Sequence, residues 1–409
     1  MSEKTPTRHL FLMHQGFHPT VIDSQVGDKI RALETEGIAM DLTACVSLGE
    51  YLRNLSTYRV RRDEFAQRIA GDVTLLPSFR PHLAPFRVAQ ALATRWAGIP
   101  RATERLVILA RGHTAADIAI AMRRFHGDVR VVFDVRGDAL AEARMEQAEA
   151  ERTTAQRRAQ HIAETIQRGV SGADRLFCVS ERLKELLISQ HGADPQRIDV
   201  FHCLADGERF RVDPALRAKV REREGLTDKE VLIFPGSVGL WHHIDASLRL
   251  VSRLMRDRPS LHFVALTPQV DAMEARLREV LPFERYRVLQ APHDAVPGWL
   301  NAADAALLLR AQHPVNAVAA PTKFAEYLLC GLPTLISDGI GDYSAFVEEH
   351  DAGILVNDDD LEGAAAAFDA LRDGWTDDRR RRLSALGHAH YSKAARAPEM
   401  ARILRALAD

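Results

Sequence analysis

Residues 319–336 read Ala-Ala-Pro-Thr-Lys-Phe-Ala-Glu-Tyr-Leu-Leu-Cys-Gly-Leu-Pro-Thr-Leu-Ile, and this stretch predicts a helix followed by a short buried strand. Pro321 suits the first position of the helix, because its fixed φ is helical and its missing N–H costs nothing there. Gly331 and Pro333 end the helix after roughly ten residues. The apolar residues 334–336 then begin the strand.

The start of this helix has the composition of an anion-binding site. Ala320 cannot cap the first N–H groups with its side chain, and uncapped helix starts attract phosphate. Lys323 and Tyr327 share one helical face, with Glu326 beside them. The cation could hold a nucleotide diphosphate, and the carboxylate could hold the ribose hydroxyls. On spacing alone, the alternative is an amphipathic helix whose Lys323 and Glu326 face water.

The segment from Pro321 to Pro333 resembles the signature of the GT-B glycosyltransferases of family 4, in which Pro-x-Lys-x-x-Glu is followed by Gly-x-Pro. The resemblance implies an α/β protein with the GT-B fold, in which two Rossmann-like, doubly wound domains face a central cleft. It further implies a retaining hexosyl- or glycosyltransferase. Such an enzyme moves a sugar from a nucleotide-diphosphate donor to a hydroxyl acceptor (a glycan, a lipid-linked molecule or a small molecule) in polysaccharide, glycolipid or glycoconjugate biosynthesis.

The resemblance and the positions of residues at strand and helix ends together predict the contacts to the nucleotide or donor. In order along the chain these are Gly16, Gly236, Ser237, Arg310, Pro321, Thr322, Lys323, Glu326 and Tyr327.

Composition excludes several other classes of protein. The 409 residues are enough for two domains with hydrophobic cores, and the contents of 46% hydrophobic and 27% charged residues are those of a globular protein. The formal net charge of −2 gives no field that would favour nucleic acid.

Cysteine usage and hydropathy predict a cytoplasmic protein. Four scattered cysteines without a CxxC pair, Cys45, Cys178, Cys203 and Cys330, are typical of buried free thiols in a reducing compartment. The apolar stretch 9–13 is too short for a signal sequence, and no run reaches the length of a membrane span. Peripheral association with the inner face of a membrane stays open.

Short apolar strands alternate with helical patterns along the chain, which predicts parallel doubly wound sheets. Strands are expected near 9–13, 38–45, 73–76, 106–110, 129–134, 176–179 and 198–201. After a polar linker at 205–213, a second series follows near 231–234, 262–266, 286–289, 305–309, 334–336 and 353–356.

The predicted domains are residues 1–206, the acceptor domain, and 207–392, the donor domain. The resemblance returns a C-terminal helix, 393–409, to the first domain. Residues 138–168 contain neither Gly nor Pro and predict one long solvated helix, for which an acceptor or partner surface is the alternative reading.

The glycine-rich loop after the strand 231–234 departs from the family. Glycines after a strand let the backbone approach a phosphate, and Gly236 is the first of them. In the family an Arg and a Lys follow, but here Ser237 and His242 stand at those places. We therefore expect Arg310, at the carboxyl end of a strand, and Lys323 to neutralise the diphosphate and to act as catalytic residues.

A second departure concerns the donor sugar. The family commonly carries a Glu eight positions before the signature Glu, and here that position is Val318. No acid lies between Asp304 and Glu326, and Asn316 is the nearest polar substitute for a sugar contact. This leaves Glu326 as the residue expected at the ribose.

Polar residues at the carboxyl ends of strands in the first half are the acceptor-side candidates. His113, with Arg111 just before it, begins the helix after the strand 106–110. It could take or relay the acceptor proton, hydrogen-bond the donor sugar, or be an ordinary loop histidine. Asp134 could orient an acceptor hydroxyl, or it could pair with Arg111 or Arg136 for purely structural reasons. Gly16 follows the first strand, where the family keeps a glycine near the diphosphate.

Two rival functions share the fold. A sugar-nucleotide 2-epimerase would bind the same donor but needs an acid and a base around the sugar, and the missing upstream acid makes that poorer. A non-catalytic subunit of a glycosylation complex would explain the missing loop cations. No Asp-x-Asp motif stands at a strand end, since residues 358–360 lie in a predicted surface loop. The sequence therefore predicts catalysis without a metal or other cofactor.

Overall fold

The computed structural model describes residues 7–17, 22–79, 84–98, 105–146, 152–239 and 241–409. The chain divides into two compact units. Unit 1 comprises Met1–His202 and Arg396–Asp409, and unit 2 comprises Cys203–Ala395. This division falls close to the predicted boundary at 206/207, and the last helix contributes to unit 1 from Arg396 onward.

Unit 1 is built on a seven-stranded parallel sheet in the order β3-β2-β1-β4-β5-β6-β7. The strands are β1 Thr7–His14, β2 Met40–Ser47, β3 Val73–Ser78, β4 Arg105–Arg111, β5 Val129–Val135, β6 Arg175–Cys178 and β7 Ile198–Val200. The helices are α1 Asp28–Thr35, α2 Leu48–Arg53, α3 Leu55–Ala66, α4 Ala84–Gly98, α5 His113–Met122, α6 Ala139–Glu146, α7 Arg152–Gly172 and α8 Glu181–His191, with a π-helical turn Ile22–Gly27 and a 3-10 turn Pro195–Arg197.

Unit 2 is built on a six-stranded parallel sheet in the order β10-β9-β8-β11-β12-β13. The strands are β8 Glu230–Pro235, β9 Leu261–Leu266, β10 Tyr286–Leu289, β11 Ala305–Leu308, β12 Thr334–Ser337 and β13 Gly353–Val356. The helices are α9 Pro214–Glu224, α10 Ile244–Asp257, α11 Val270–Val280, α12 Val296–Ala302, α13 Pro314–Ala317, α14 Thr322–Leu329, α15 Tyr343–Glu349, α16 Leu361–Asp373 and α17 Asp377–Tyr391, with a 3-10 turn Phe283–Arg285. A last helix, α18 Lys393–Ala408, follows.

Alternating strands and helices therefore form the predicted α/β fold with two parallel sheets. Each predicted strand is present, with bounds that differ by a few residues. The segment 138–168 contains α6 and most of α7, and its residues 147–151 lie outside the described part of the chain. Residues 18–19, in the first predicted loop, and Leu240, in the glycine-rich loop, lie outside it as well.

The last helix completes the core of unit 1. Met400, Ala401 and Leu404 are almost fully buried and belong to the same hydrophobic cluster as Phe11 and Met13 of β1. These contacts join the two ends of the chain, and burial of such apolar side chains is the main source of stability in a domain of this kind.

The four cysteines are free and buried, as their scattered spacing without a CxxC pair predicted. Within the described residues, no helix is both long enough and apolar enough to cross a membrane.

Helix α14 ends as its sequence predicted. Gly331 adopts a φ of 68°, and the N–H of Leu332 donates to the carbonyl of Tyr327 at 2.8 Å, which closes the helix in a left-handed turn. The side chain of Ser384 in α17 donates to the carbonyl of Leu329 at 2.7 Å. The last carbonyls of α14 therefore accept hydrogen bonds both from the chain that follows the helix and from a neighbouring helix.

A comparison of two glycines tests the steric part of this turn. Gly331 and Gly225 share a φ of 68°, but a Cβ on Gly331 would lie 2.4 Å from the carbonyl oxygen of Arg380, whereas a Cβ on Gly225 would have no neighbour within 4 Å. Gly225→Ala should cost about 1 kcal/mol of unfolding free energy, which is backbone strain alone. Gly331→Ala should cost about 3 kcal/mol, because a clash is added.

Urea unfolding followed by far-UV circular dichroism measures the loss of unfolding free energy in both variants. Equal losses in the two variants would show that the close contact with Arg380 has no energetic weight.

Candidate active site

The order of strands in unit 2 places a crevice between β8 and β11. These strands are neighbours in the sheet, and their following helices run to opposite sides, so the carboxyl ends of β8 and β11 form a topological switch point. The loop 236–239 follows β8, and Arg310 lies two residues beyond β11. Both were predicted to contact the donor, and the topology brings them to the same edge of the sheet.

Gly236 and Lys323 lie in contact at this edge. A Cβ placed on Gly236 would be 3.2 Å from Nζ of Lys323 and 2.6 Å from Cζ of Phe234. A side chain at this position would clash with the ring of Phe234 and press on the ammonium group of Lys323. The glycine-rich loop and the start of α14 therefore form one site, although about 85 residues separate them along the sequence.

Lys323 is a half-buried cation that forms no ion pair with a described carboxylate. Burial lowers its pKa to about 8; the nearby Arg310 lowers it further, and Glu326 opposes the shift. Among the described residues, Lys323 forms no hydrogen bond and no ion pair. At neutral pH the ammonium group is therefore charged and available to an anion.

Arg310 is a second cation beside the first. Its backbone N–H donates to Oγ of Ser337 at 3.0 Å, and its Nη1 donates to Oδ1 of Asn316 at 3.1 Å. Its Nε is buried and has no acceptor in the described structure. Burial lowers the pKa of Arg310, and none of the described carboxylates forms an ion pair with it. A buried guanidinium without a carboxylate is costly unless a ligand supplies the negative charge.

His242 occupies the place of a family loop cation but carries no charge at neutral pH. It is 9% exposed, and burial, followed by the charges of Lys323 and Arg310, lowers its pKa to about 3. Burial first, and the two nearby cations second, therefore keep His242 neutral. Ser237, at the other substituted place, is half-buried and bears no charge.

The glycine-rich loop offers fewer free amides than its sequence predicted. The N–H of Gly236 donates to the carbonyl of Leu266 at 2.8 Å. The N–H of Val238 donates to Oε1 of Gln269 at 3.1 Å. These amides are held by the protein, so electrostatic stabilisation of a ligand falls mainly to Lys323 and Arg310.

Two predicted ligand contacts are corrected by the structure. Tyr327 is 0% exposed, and its hydroxyl donates to the carbonyl of Leu307 at 3.4 Å, so the ring belongs to the core beneath the site. Asn316 is also 0% exposed, with its amide used inside the protein, and cannot contact a sugar. Periodicity placed Tyr327 on the same helical face as Lys323, but it could not show that the Tyr327 end of this face is buried in the core.

The remaining predicted donor residues surround the cations. Helix α14 begins at Thr322, so Pro321 is its N-cap rather than its first residue, and no side chain caps the helix start. Glu326 lies one turn into the helix and is 8% exposed. Its role at the ribose stays a prediction.

Unit 1 has a corresponding switch point between β1 and β4. A cavity of about 210 Å³ opens there. It is lined by His14, Gln15, Arg111, Gly112, His113, Thr114, Phe133, Val135, Arg136, Gly137, Ala139, Glu142 and Ile166. The predicted acceptor-side residues Arg111, His113 and Arg136 are thus brought to one cavity, and Gly16 follows β1 in the adjoining loop.

His113 and His14 supply neutral imidazoles to this cavity. His113 begins α5, as predicted, and burial, with contributions from His161 and His14, lowers its pKa to about 4. Burial also lowers the pKa of His14, whose Nε2 lies 2.9 Å from Oγ of Ser78. His14 was missed from the sequence, although its place at the end of the first strand was a usable signal.

Asp134 has the structural role that was one of its two predicted alternatives. It is 2% exposed, and its carboxylate accepts from Nζ of Lys29 at 3.0 Å and from Nη1 of Arg136 at 3.4 Å. Burial opposes ionisation, but Lys29, Arg136 and Arg111 outweigh it and hold the pKa of Asp134 well below its ordinary value. Lys29 was missed, because nothing in its spacing distinguishes it from a surface lysine.

Metal-binding geometry is not found in the described residues, where no group of three or more His, Cys, Asp or Glu side chains is arranged to hold an ion.

Comparisons with known proteins agree with this architecture. No family model matches the chain. A D-inositol 3-phosphate glycosyltransferase of Mycobacterium marinum is 30% identical over 219 residues, which are 50% of this chain and 43% of that protein. One from Thermomonospora curvata is 25% identical over 244 residues, or 54% of each chain. The chain thus spans about half the length of the curated relatives it matches.

Solved structures cover the chain almost completely. HepE of Anabaena, solved in complex with UDP, has a TM-score of 0.70 at 15% identity and covers 98% of this chain and 100% of its own. WaaG, a glycosyltransferase involved in lipopolysaccharide biosynthesis, has a TM-score of 0.62 at 15% identity and covers 97% of this chain and 99% of its own.

The class follows from the two kinds of similarity together. The chain has the GT-B fold, with two parallel Rossmann-like sheets. Over about half of its length the sequence is similar to D-inositol 3-phosphate glycosyltransferases, and both this similarity and the fold agree with the resemblance stated from the signature segment.

The charge cluster of unit 1 gives a stability prediction. Asp134→Asn removes the carboxylate and leaves Lys29 beside Arg136, so unit 1 should lose about 3 kcal/mol of unfolding free energy. Asp128→Asn is the matched control, because Asp128 pairs with Arg105 at 2.6 Å on the same sheet but is 40% exposed, and its loss should cost under about 1 kcal/mol.

Hydrogen exchange of the β4 and β5 amides measures both losses within unit 1. Equal protection in the Asp134 and Asp128 variants would contradict the structural role assigned to Asp134.

Proposed function

We propose that this chain is a retaining glycosyltransferase that moves a sugar from a nucleotide-diphosphate sugar to a hydroxyl acceptor. The observation that carries the proposal is the pair of cations Lys323 and Arg310, which lie side by side at the switch point of unit 2 without a carboxylate partner. A diphosphate supplies the negative charge that this pair lacks. We infer a role in polysaccharide, glycolipid or glycoconjugate biosynthesis.

The surroundings of the pair fit a nucleotide diphosphate better than a single small anion. The uncapped start of α14 adds its positive end to the two side chains. Gly236 leaves space beside Lys323, so a ligand's phosphate can approach the loop. Glu326, on the same helix, is the acid proposed to hold the ribose hydroxyls.

The same cations would provide the catalysis. Negative charge on the diphosphate grows as its bond to the sugar breaks, and groups that stabilise this charge more in the transition state than in the ground state accelerate the reaction. Neutral His242 and the occupied amides of the loop contribute little to that charge. This arrangement needs no metal or other cofactor, so added EDTA should leave the rate unchanged.

We assign the acceptor to the cavity of unit 1. Neutral His113 can accept a proton from an acceptor hydroxyl or relay it, because burial holds its pKa near 4. Arg111 and Arg136 line the same cavity and can donate hydrogen bonds to acceptor oxygens.

UDP is the first nucleotide to test, because the Anabaena relative of the same fold was solved with UDP. Thermal shift with UDP, GDP and ADP, followed by hydrolysis of the matching sugar nucleotides, would define the donor. A product epimerised at the sugar's C2 without an acceptor would indicate the 2-epimerase instead. Nucleotide binding without turnover of any sugar nucleotide would indicate a non-catalytic subunit. The uncharged Ser237 and His242 are the reason for testing this alternative.

Mutation of the two cations tests the proposed catalysis. Lys323→Ala and Arg310→Ala should each lower kcat by about a hundredfold and raise KM less, because the charge they stabilise develops in the transition state. The double variant should lose less than the product of the two effects, since both residues act on one leaving group. Lys229→Ala, an exposed lysine of the same unit, is the control. Near wild-type kcat in both single variants would show that the leaving group is held elsewhere.

The pKa of Lys323 gives a pH dependence. The ammonium form that binds the diphosphate is present below a pKa of about 8 and is lost above it, so affinity falls as pH rises through that value. Between about pH 7 and about pH 9.5 the Kd for UDP should increase by up to about thirtyfold. Lys323→Arg is the control, because a guanidinium keeps its charge over this range. A wild-type Kd that stays constant with pH would exclude Lys323 from the binding site.

A further inference from the structure

Asn316 joins three segments of unit 2 through one buried amide. Its Oδ1 accepts a hydrogen bond from Nη1 of Arg310 at 3.1 Å. Its Nδ2 donates to the carbonyl of Ala311 at 2.9 Å and to the carbonyl of Trp241 at 3.4 Å. The side chain of Asn316 is 0% exposed, so its amide makes these bonds from within the protein.

The segments that Asn316 joins are the two walls of the proposed donor site. His242 and Arg310 form an antiparallel bridge, and the N–H of His243 donates to the carbonyl of Leu309 at 3.2 Å. The chain after the glycine-rich loop thus runs beside the chain after β11. Asn316, from the short helix α13, contacts both of these segments at once.

We propose that Asn316 is a positioning residue that fixes the guanidinium of Arg310 for the diphosphate and locks it to the segment after the glycine-rich loop. The inference rests on the proposed function of Arg310 at the leaving group. Asn316 itself touches no ligand, because it is sealed beneath the surface of the site.

The chemistry of the amide explains why this position carries Asn. A long arginine side chain has many rotamers, and ordering it for a ligand costs free energy unless the protein orders it first. A carboxylate at this position would also orient the guanidinium, but it would cancel the charge that the diphosphate requires. A neutral Oδ1 orients Arg310 and leaves its charge uncompensated, while Nδ2 satisfies two buried carbonyls that a carboxylate could not serve.

A double-mutant cycle with Arg310 distinguishes positioning from simple packing. The variants are Asn316→Leu, which keeps the volume and removes the three hydrogen bonds, and Arg310→Ala, alone and combined. Asn316→Ser is a smaller substitute in case the leucine variant does not fold, and Asn316→Asp keeps an acceptor but adds a negative charge. Isothermal titration with UDP, GDP and ADP measures each Kd, and the tightest of the three nucleotides is used throughout.

Positioning predicts a loss that depends on Arg310. Asn316→Leu and Asn316→Ser should raise the Kd by about tenfold in the wild-type background and by less than about twofold in Arg310→Ala. Asn316→Asp should weaken binding as much as Arg310→Ala does, because the charge is cancelled although the orientation is kept.

The possible contrary results separate this inference from the function on which it rests. If Arg310→Ala weakens nucleotide binding but the Asn316 effect is unchanged in that background, Asn316 acts by packing and its positioning role is overturned. If Asn316→Asp binds as tightly as wild type, the charge argument is wrong. If Arg310→Ala itself leaves the Kd unchanged, the assignment of the diphosphate to Arg310 fails, and the role of Asn316 fails with it.

Discussion

Two like charges held close together without a counter-ion form the constraint on which unit 2 depends. Arg310 adds to the burial that lowers the pKa of Lys323, and both cations add to the burial that keeps His242 neutral. Such an arrangement costs free energy in the unliganded protein, and the surrounding structure has to offset that cost. Arg310 is held by the hydrogen bond from its backbone N–H to Oγ of Ser337 and by the buried amide of Asn316. Gly236 leaves space beside Lys323.

The two units share a topology but differ in how the charges at the switch point are neutralised. Both place charged side chains at the carboxyl ends of the strands flanking a switch point. In unit 1, Asp134 lies among Lys29, Arg136 and Arg111 and forms ion pairs with Lys29 and Arg136, so part of the positive charge is neutralised within the protein. In unit 2 no described carboxylate forms an ion pair with Lys323 or Arg310. The arrangement in unit 2 suits a strongly anionic ligand.

The fold could be predicted from the sequence almost completely, whereas the site could be predicted only in part. Apolar periodicity located the strands, and Gly331 and Pro333 marked the end of the decisive helix, because these signals are local. The placement of Lys323 and Gly236 at one site followed from the family resemblance. Periodicity could not show that Tyr327 is sealed in the core, since depth of burial is set by packing between elements distant in sequence.

Helix α18 has a consequence for how the protein folds during synthesis. Its residues Ala401 and Leu404 are part of the hydrophobic cluster that contains Phe11, so the core of unit 1 needs a helix that is made after all of unit 2. Unit 2, which is encoded between these two parts, can assemble its own sheet while unit 1 still lacks one wall. A ribosome-bound chain therefore carries an exposed apolar surface on its first sheet until α18 has been made. That surface is covered late, through contacts between residues that are very far apart in sequence, so unit 1 should fold more slowly than unit 2. Unit 1 is therefore the unit that needs chaperone protection.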